Sequence, residues 1–311
     1  MNDQAASHAV DDCIIVGGGP AGLTAAIYLA RYHLSVRLFD CGTSRAALIP
    51  CTHNHAGYPE GIAGTELLAR MAAQAERYGV TRERAKVTGL VKEGKTFRVA
   101  AEDRPFEART VLLATGVFNR HPPGMEDSLH DRALAAGLLR YCPVCDGYEV
   151  TDKRVGVIGT SDHGTAEAIF LRGFTNDITL ISPQHEHDLN DECKARLAEA
   201  GIARAEGPCG GYAIEGDQLA LDTAERRMLF DSIYPALGSE VRSELASACG
   251  AETGDDGCII TDDHQRTSVD GLYAAGDVVL GLDQISHAMG QAGVASTTIR
   301  NDLAEIRPLR R

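Results

Sequence analysis

The stretch CIIVGGGPAGLTAAIYLARYHLSVRLFD, residues 13–40, predicts a complete β-α-β unit near the start of the chain. Residues 13–16 form a short apolar run, glycines follow it directly, and the small residues after Gly22 are typical of a closely packed helix. A second apolar run, residues 35–39, ends at Asp40. Strand, glycine-rich turn, helix and strand in this order predict a parallel sheet of the α/β class.

The turn itself predicts a dinucleotide site. Gly17, Gly19 and Gly22 form the pattern G-x-G-x-x-G. The first glycine allows a tight turn, the second lets a pyrophosphate approach the backbone, and the third lets helix and strand pack closely. Asp40 lies about twenty residues further on, where an acid can accept a hydrogen bond from a ribose hydroxyl. NAD and FAD both fit this pattern, whereas a turn without a ligand would not require the acid.

Two later segments favour FAD. LLATG (residues 112–116) and LYAAGDV (residues 272–278) are apolar runs that end in small residues. Small residues permit the close approach of a flat cofactor, and Asp277 could accept a hydrogen bond from a ribityl hydroxyl.

The order of elements recurs in the middle of the chain. Residues 154–158 form an apolar run that leads into GTSDHG (residues 159–164), a helical pattern and the apolar run DITLIS. The chain is therefore predicted to hold two Rossmann-like, three-layer ββα dinucleotide-binding domains, the second inserted into the first. HPPG, residues 121–124, and the segment 235–240 are the predicted crossings between them.

Composition limits the possible partners. The 311 residues suffice for about two domains. A net charge of −14, from 30 basic and 44 acidic residues, disfavours nucleic acid as a partner. The polar N-terminal segment does not resemble a signal peptide, and the apolar stretch behind it contains three consecutive glycines and a proline, which disfavours a membrane span. Nine cysteines without an export signal suggest a reducing compartment, so we expect a cytoplasmic protein.

The segment YCPVCDGYEV contains a Cys-x-x-Cys motif, formed by Cys142 and Cys145 and followed directly by Asp146. Two cysteines at this spacing can close a small ring, and such motifs lower the pKa of a thiol toward neutrality. Asp146 could protonate the leaving thiolate. A zinc site would need a second ligand pair, for which only scattered histidines are available: His163, His185 and His187. The spacing favours redox chemistry, and no metal is expected.

Taken together, the motifs resemble those of the low-molecular-weight thioredoxin reductases, which are FAD-dependent pyridine nucleotide-disulfide oxidoreductases. The segments that carry the resemblance are GGGPAG, Asp40, HNHAGYPEGIAGTELL, ATG at 114–116, CPVCDG, TSVDGLYAAGDV and QISHAMGQAG. The resemblance implies a discontinuous FAD-binding domain, residues 1–118 and 241–311, and an NAD(P)H-binding-like domain, residues 119–240, that carries the Cys-x-x-Cys motif. It also implies a homodimer.

The resemblance assigns roles to individual residues. Cys145 would be the flavin-side sulfur, Cys142 the interchange thiol and Asp146 the acid-base group. The expected FAD contacts are Gly17, Gly19, Pro20, Ala21, Gly22, Asp40, Asn54, Thr115, Gly116, Asp277, Gln284 and Ile285.

The chain departs from this family at the second turn. Ser161 stands where the second glycine should be, and a side chain there crowds a pyrophosphate. The segment PQHEHDLNDE after the next strand has no arginine for the 2′-phosphate of NADPH, and no acid ends that strand for NADH. The protein therefore resembles a divergent member with degenerate NADPH motifs, and NAD(P)H is an uncertain cofactor.

Three functions remain open. The main hypothesis is an FAD-dependent disulfide oxidoreductase of the thioredoxin reductase type, which acts on a thioredoxin-like protein or a small dithiol or disulfide. Its electron donor could be a protein such as ferredoxin. The second hypothesis is a dithiol oxidase that passes electrons through FAD to oxygen. Such oxidases tend to have histidine at the position of Asp146, and His287 could supply their base or be an ordinary helix residue. The third is a flavin-bearing redox sensor.

Overall fold

The computed structural model describes residues 10–309, which form two compact units. The first unit contains the described residues up to Ala47, residues 65–118 and the described residues from Val241 onward. The second contains Leu48–Gly64 and Asn119–Glu240. Contacts thus group residues 48–64 with the second unit, although the sequence-based division assigned them to the FAD-binding domain.

The first unit is built on a seven-stranded sheet in the order β3-β2-β1-β6-β5-β4, with β16 also paired to β6. Strand β6 pairs with the antiparallel strand β5 along its first half and with the parallel strand β16 along its second. Its elements are β1 (Asp11–Val16), α1 (Pro20–Arg31), β2 (Val36–Phe39), α2 (Gly64–Arg77), β3 (Thr81–Glu83), β4 (Val87–Glu93), β5 (Thr96–Ala101), β6 (Arg104–Leu113), α7 (Glu244–Ala248), β16 (Leu272–Ala274) and α8 (Ile285–Ile306). The first residue of α2, Gly64, is grouped with the second unit.

Burial explains this arrangement. Strand β1 reads DDCIIV and is buried almost throughout, because it lies in the middle of the sheet between β2 and β6. Helix α1 contributes alanines and leucines that are buried against the sheet and against α8. The small residues Ala292, Ala295 and Ser296 are fully buried on α8, which allows the two helices to pack closely.

The second unit has a parallel four-stranded sheet, β10-β9-β8-β14, and an antiparallel three-stranded sheet, β11-β12-β13. Its elements are α3 (Asp127–Ala135), α4 (Pro143–Asp146), β8 (Val155–Ile158), α5 (Ser161–Leu171), β9 (Ile178–Ile181), α6 (Asp191–Glu199), β10 (Ala203–Ala205), β11 (Gly210–Glu215), β12 (Gln218–Asp222), β13 (Arg227–Phe230) and β14 (Ser232–Pro235). Two short strands, β7 (Val117–Asn119) and β15 (Ser239–Val241), contain the chain crossings between the units. The α/β class with two Rossmann-like domains is confirmed.

Residues 258–261 form no strand, and Ile259 makes only isolated bridges to Thr253 and Val279. Tight turns on either side, at Gly257 with a φ of +82° and at Asp262, keep the paired stretch short. Helix α8 continues to Ile306, because Leu303 extends its buried face. None of the helices in residues 10–309 is long and apolar enough to cross a bilayer.

Candidate active site

The first glycine-rich turn is too tight for any residue but glycine at two of its positions. Gly17 has a φ of +116°, and a Cβ there would lie 2.1 Å from the carbonyl oxygen of Ala114. A Cβ on Gly22 would lie 1.9 Å from the carbonyl oxygen of Gly17. Gly19 precedes α1 as its N-cap, and Pro20 begins the helix, where its missing N–H costs nothing. The turn thus leaves the N-terminus of α1 available to a phosphate.

A cavity of about 300 Å³ lies beside this turn and is lined by Gly18, Asp40, Ser44 and residues of α2. The Asp40 carboxylate accepts a hydrogen bond from the backbone N–H of Gly42 at 2.8 Å. A Cβ on Gly18 would lie 2.4 Å from Oδ2 of Asp40, so a larger residue here would require the Asp40 side chain to move. Gly18 is the middle glycine of the run GGG and was not predicted from the sequence.

Asp277 lies in the same unit and forms an ion pair with Arg45, whose Nη1 is 3.1 Å from Oδ2. The same Nη1 lies 2.8 Å from Oδ2 of Asp283. Burial and the neighbouring Asp283 raise the pKa of Asp277, while Arg45 counteracts them. On α8, Gln291 accepts a hydrogen bond from the N–H of Gly276 at 2.8 Å and thereby fixes the turn before Asp277. Arg45 and Gln291 were not found from the sequence.

The other predicted FAD contacts fall on both units. Ala21 is buried in the first turn of α1, and Gly116 has a φ of +67°. Thr115 donates its hydroxyl hydrogen to the carbonyl oxygen of Arg242 at 2.6 Å. Gln284 is the N-cap of α8 and Ile285 its first residue.

Asn54 lies in the second unit instead, where its Nδ2 donates to the carbonyl oxygen of Val144 at 3.4 Å. In the first unit, the open turn, the acid at the end of β2 and the cavity beside them together fit the adenosine and pyrophosphate parts of FAD.

His287 lies in the first turn of α8. Its Nε2 is buried and makes no hydrogen bond within residues 10–309. The proximity of His287 lowers the pKa of Asp277 in the same unit.

Cys142 and Cys145 form a disulfide, with 5.2 Å between their Cα atoms. Pro143 begins the short helix α4, and the Sγ of Cys142 caps it by accepting a hydrogen bond from the N–H of Cys145 at 3.2 Å. Between them, Val144 is 47% exposed, so the pair lies at the surface of its unit. Cys142 and Cys145 themselves are half-buried.

Asp146 directly follows the cysteine pair in the second unit. Its Oδ2 lies 3.0 Å from Nη1 of Arg140, and its Oδ1 accepts the hydroxyl hydrogen of Tyr234 at 2.8 Å. Burial raises the pKa of Asp146 above its usual range, because it outweighs the lowering by Arg140 and Tyr234. A carboxyl group that titrates closer to neutrality is suited to general acid-base chemistry.

Two of the histidines considered as zinc ligands, His163 and His187, contact different groups. His163 lies 3.5 Å from Glu167 on α5, whereas Nε2 of His187 is 3.2 Å from the carbonyl oxygen of Leu180. Within residues 10–309, no group of three or more His, Cys, Asp or Glu side chains could hold a metal ion.

The second glycine-rich turn is occupied by its own chain. The N–H of Ser161 donates to the carbonyl oxygen of Asp188 at 3.0 Å, and the N–H of Asp188 donates to Oγ1 of Thr160 at 2.9 Å. Ser161 itself has a φ of +55°. A phosphate at this helix N-terminus would also meet the negative charge of Asp162, in the first turn of α5. One backbone N–H is therefore already engaged, and an acidic side chain is present, where this type of fold holds a pyrophosphate.

Comparison with known proteins places the chain in a family. Residues 11–292 match the family of pyridine nucleotide-disulphide oxidoreductases. The chain belongs to this family. It is 33% identical to the thioredoxin reductase of Mycolicibacterium smegmatis over 290 residues, which cover 88% of the chain and 90% of that protein.

Two solved structures of similar fold span nearly the whole chain. The thioredoxin reductase from Streptococcus pyogenes is 28% identical, with a TM-score of 0.86 over 96% of this chain and 100% of its own. The protein HlmI is 29% identical, with a TM-score of 0.87 over 95% of this chain and 93% of its own. The predicted resemblance to the thioredoxin reductases is thereby confirmed, and the protein is an enzyme of the disulfide oxidoreductase type.

Proposed function

We propose that the protein uses the Cys142–Cys145 disulfide to exchange two electrons between bound FAD and an external disulfide or dithiol. The observation that carries this proposal is the disulfide at the surface of its unit with the buried carboxyl group of Asp146 directly behind it. When bound, FAD supplies a two-electron donor and acceptor. Gly17, Gly19, Gly22, Asp40 and Asp277 would hold it, together with the other predicted contacts of the first unit.

Thiol exchange at the pair can be written with the residues of the chain alone. A thiol of the substrate loses its proton to Asp146, and its sulfur attacks Sγ of Cys142. The bond between Cys142 and Cys145 breaks, and Cys145 leaves as a thiolate. The second substrate thiol gives its proton to the Cys145 thiolate, and its sulfur displaces Cys142 as a thiolate. The products are the oxidised substrate, the reduced pair and protonated Asp146. Disulfide reduction runs through the same steps in reverse, with Asp146 as the proton donor.

After exchange, the N–H of Cys145 can stabilise Cys142 as a thiolate, because it already donates a hydrogen bond to that sulfur in the disulfide. This supports the expected roles, in which Cys142 exchanges with the substrate and Cys145 with the flavin. We propose a thioredoxin-like protein or a small dithiol as the partner, which the thioredoxin reductases among the relatives support. The homodimer and a ferredoxin-type donor stay predictions.

The closed second turn favours a second candidate, a dithiol oxidase. If NAD(P)H does not reduce the enzyme, electrons can enter from a dithiol through Cys142 and Cys145. The overall reaction converts a dithiol and oxygen into a disulfide and hydrogen peroxide, which balances two electrons and two protons. The contact between Ser161 and Asp188 is the specific observation in its favour.

The test is anaerobic mixing of the oxidised FAD-bound protein with dithiothreitol, followed by admission of air. We expect rapid bleaching of the flavin absorbance and, for the oxidase, release of peroxide. In Cys145→Ser, bleaching should slow by at least about a thousandfold, because the route to the flavin is lost. The matched control is Cys193→Ser, a buried cysteine outside the pair.

FAD content should stay the same in both variants. Undiminished bleaching by Cys145→Ser would refute the role of the pair. Bleaching without peroxide, followed by rapid transfer to oxidised thioredoxin, would identify the reductase, and a single reduction without turnover would identify a sensor.

A further inference from the structure

The carboxylate of Asp146 is held from two sides by residues that the sequence did not single out. Nη1 of Arg140 contacts one of its oxygens at 3.0 Å, and the hydroxyl of Tyr234 donates to the other at 2.8 Å. Tyr234 also reaches the backbone carbonyl oxygen of Asp146 at 3.2 Å. Both carboxylate oxygens therefore have a donor, as an ionised carboxylate requires when it is largely buried.

The two donors are themselves fixed. Nε of Arg140 donates to the carbonyl oxygen of Gly137 at 3.0 Å, and its backbone N–H donates to Ile233 at 2.9 Å. Tyr234 is fully buried on β14, the next residue after Ile233. Arg140 and Tyr234 thus approach Asp146 from one strand and the segment beside it, all within the second unit.

The surroundings show why such support is needed. Burial is the largest influence on Asp146 and disfavours its charge, and the nearby Glu149 disfavours it further. Helix α5 also packs against α4, and its ionisable pair His163 and Glu167 is engaged internally at 3.5 Å. Arg140 is thus the cation that offsets these effects, with the Tyr234 hydroxyl as the neutral donor.

We propose that Arg140 and Tyr234 are positioning residues that fix the orientation of Asp146 and keep it ionised, ready to take the proton of an attacking thiol. This deepens the proposed function and rests on it. In the exchange written above, only the ionised form accepts that proton. Loss of Arg140 would leave burial and Glu149 unopposed, so Asp146 would stay protonated to a higher pH.

The experiment measures how the rate of flavin bleaching by dithiothreitol depends on pH in FAD-bound wild type, Arg140→Gln, Arg140→Lys and Tyr234→Phe. For Arg140→Gln we expect the acid limb to move up by about one pH unit, so that the rate at low pH falls about tenfold. The rate at high pH should stay within about twofold of wild type. Arg140→Lys should restore most of the wild-type profile, and Tyr234→Phe should shift it in the same direction by less.

Two controls separate positioning from folding. Arg132→Gln removes an exposed arginine from α3 in the same unit and should leave the profile unchanged. In an Asp146→Asn background, Arg140→Gln should have no further effect on the acid limb, because the titrating group is gone. An unchanged limb in Arg140→Gln, or an equal loss of rate at every pH, would overturn the proposal.

A second measurement does not depend on turnover. In the chemically reduced protein, the pH dependence of Cys142 alkylation by iodoacetamide reports the pH range over which the Cys142 thiol loses its proton, which depends on the charge of Asp146 nearby. It should shift in Arg140→Gln and not in Arg132→Gln, and the absence of a shift would count against the proposal. If wild type neither bleaches with dithiol nor reduces a disulfide, the proposed function fails, whereas a shifted alkylation profile would still support the role of Arg140.

Discussion

The two glycine-rich turns of this chain follow the same order of strand, turn and helix but present different surfaces to a ligand. In the first, Gly19 leaves the N-terminus of α1 accessible beside a cavity. In the second, Ser161 occupies the equivalent place and its N–H is already bonded to Asp188. The same scaffold therefore supports an open site in one unit and a closed turn in the other.

The difference shows that packing and ligand binding are separable. The outer glycines of the second turn are retained, because a Cβ on Gly164 would lie 2.8 Å from the carbonyl carbon of Gly159. These glycines let β8 and α5 pack. Only the middle glycine, which serves the ligand, is replaced. The second unit thus has the packing of this fold around the cysteine pair without the middle glycine of the motif.

The largest expected effect concerns the first turn. In Gly18→Ala, the new methyl group would overlap the side chain of Asp40, since the Cβ position lies 2.3 Å from its Cγ. We expect FAD affinity to fall by about a hundredfold, or roughly 2.7 kcal/mol. Flavin absorbance after gel filtration measures the loss. Thr160→Ala, at the corresponding position of the second turn, should retain full flavin content, and equal losses in both would contradict the distinction between the turns.

An intermediate effect concerns nicotinamide nucleotides. Wild type should show no binding of NADPH or NADH up to about 1 mM by calorimetry, because the N–H of Ser161 is already bonded to Asp188 and Asp162 adds a negative charge at this helix N-terminus. In the triple variant, Thr160→Ala removes the hydroxyl that accepts from the N–H of Asp188, Ser161→Gly removes a side chain from the turn, and Asp162→Asn removes a negative charge. It should bind NADPH at least about tenfold more tightly than wild type. Tight binding of NADPH by wild type, with bleaching of its flavin, would show that the second turn does accept a nicotinamide nucleotide and would contradict this prediction.

The smallest effect concerns the loop that closes the second turn. Asn190 caps α6 by accepting a hydrogen bond from the N–H of Cys193 at 2.8 Å. Asn190→Ala should lower the free energy of unfolding by about 1 kcal/mol, as measured by urea denaturation. Hydrogen exchange at Ser161 should become faster, because Asp188 lies just before this cap. Lys194→Ala, on the exposed side of α6, should change stability by only a few tenths of a kcal/mol.

Much of the fold could be predicted because it depends on patterns of residues that lie close together in the chain. The apolar run of β1, the glycines after it and the acid at the end of β2 follow one another directly in the chain, so periodicity and spacing suffice to find them. Residues 258–261 form no strand although Ile259 is fully buried, because burial of one residue does not create a paired neighbour. Contacts also brought residues 48–64 into the second unit, which no local pattern indicated.

The candidate site likewise contains residues that could be predicted from the sequence and residues that could not. Cys142, Cys145 and Asp146 were recognisable because they stand next to one another, and their residue types suggest the chemistry. Arg45, which pairs with Asp277, lies 232 residues from it in the chain. Tyr234 lies 88 residues from Asp146. No spacing rule connects side chains across such separations, and an arginine or a tyrosine by itself does not mark a site.

The sequence alone was sufficient to predict the class of fold, the motif for a dinucleotide in the first unit and redox chemistry at the cysteine pair, because each prediction depends on neighbouring residues. It also indicated, through Ser161, that the second turn had lost a ligand-binding glycine. Only the tertiary structure decided what fills that turn and what holds Asp146. Both depend on hydrogen bonds between segments far apart in the chain, which form only when the strands and helices between them have packed.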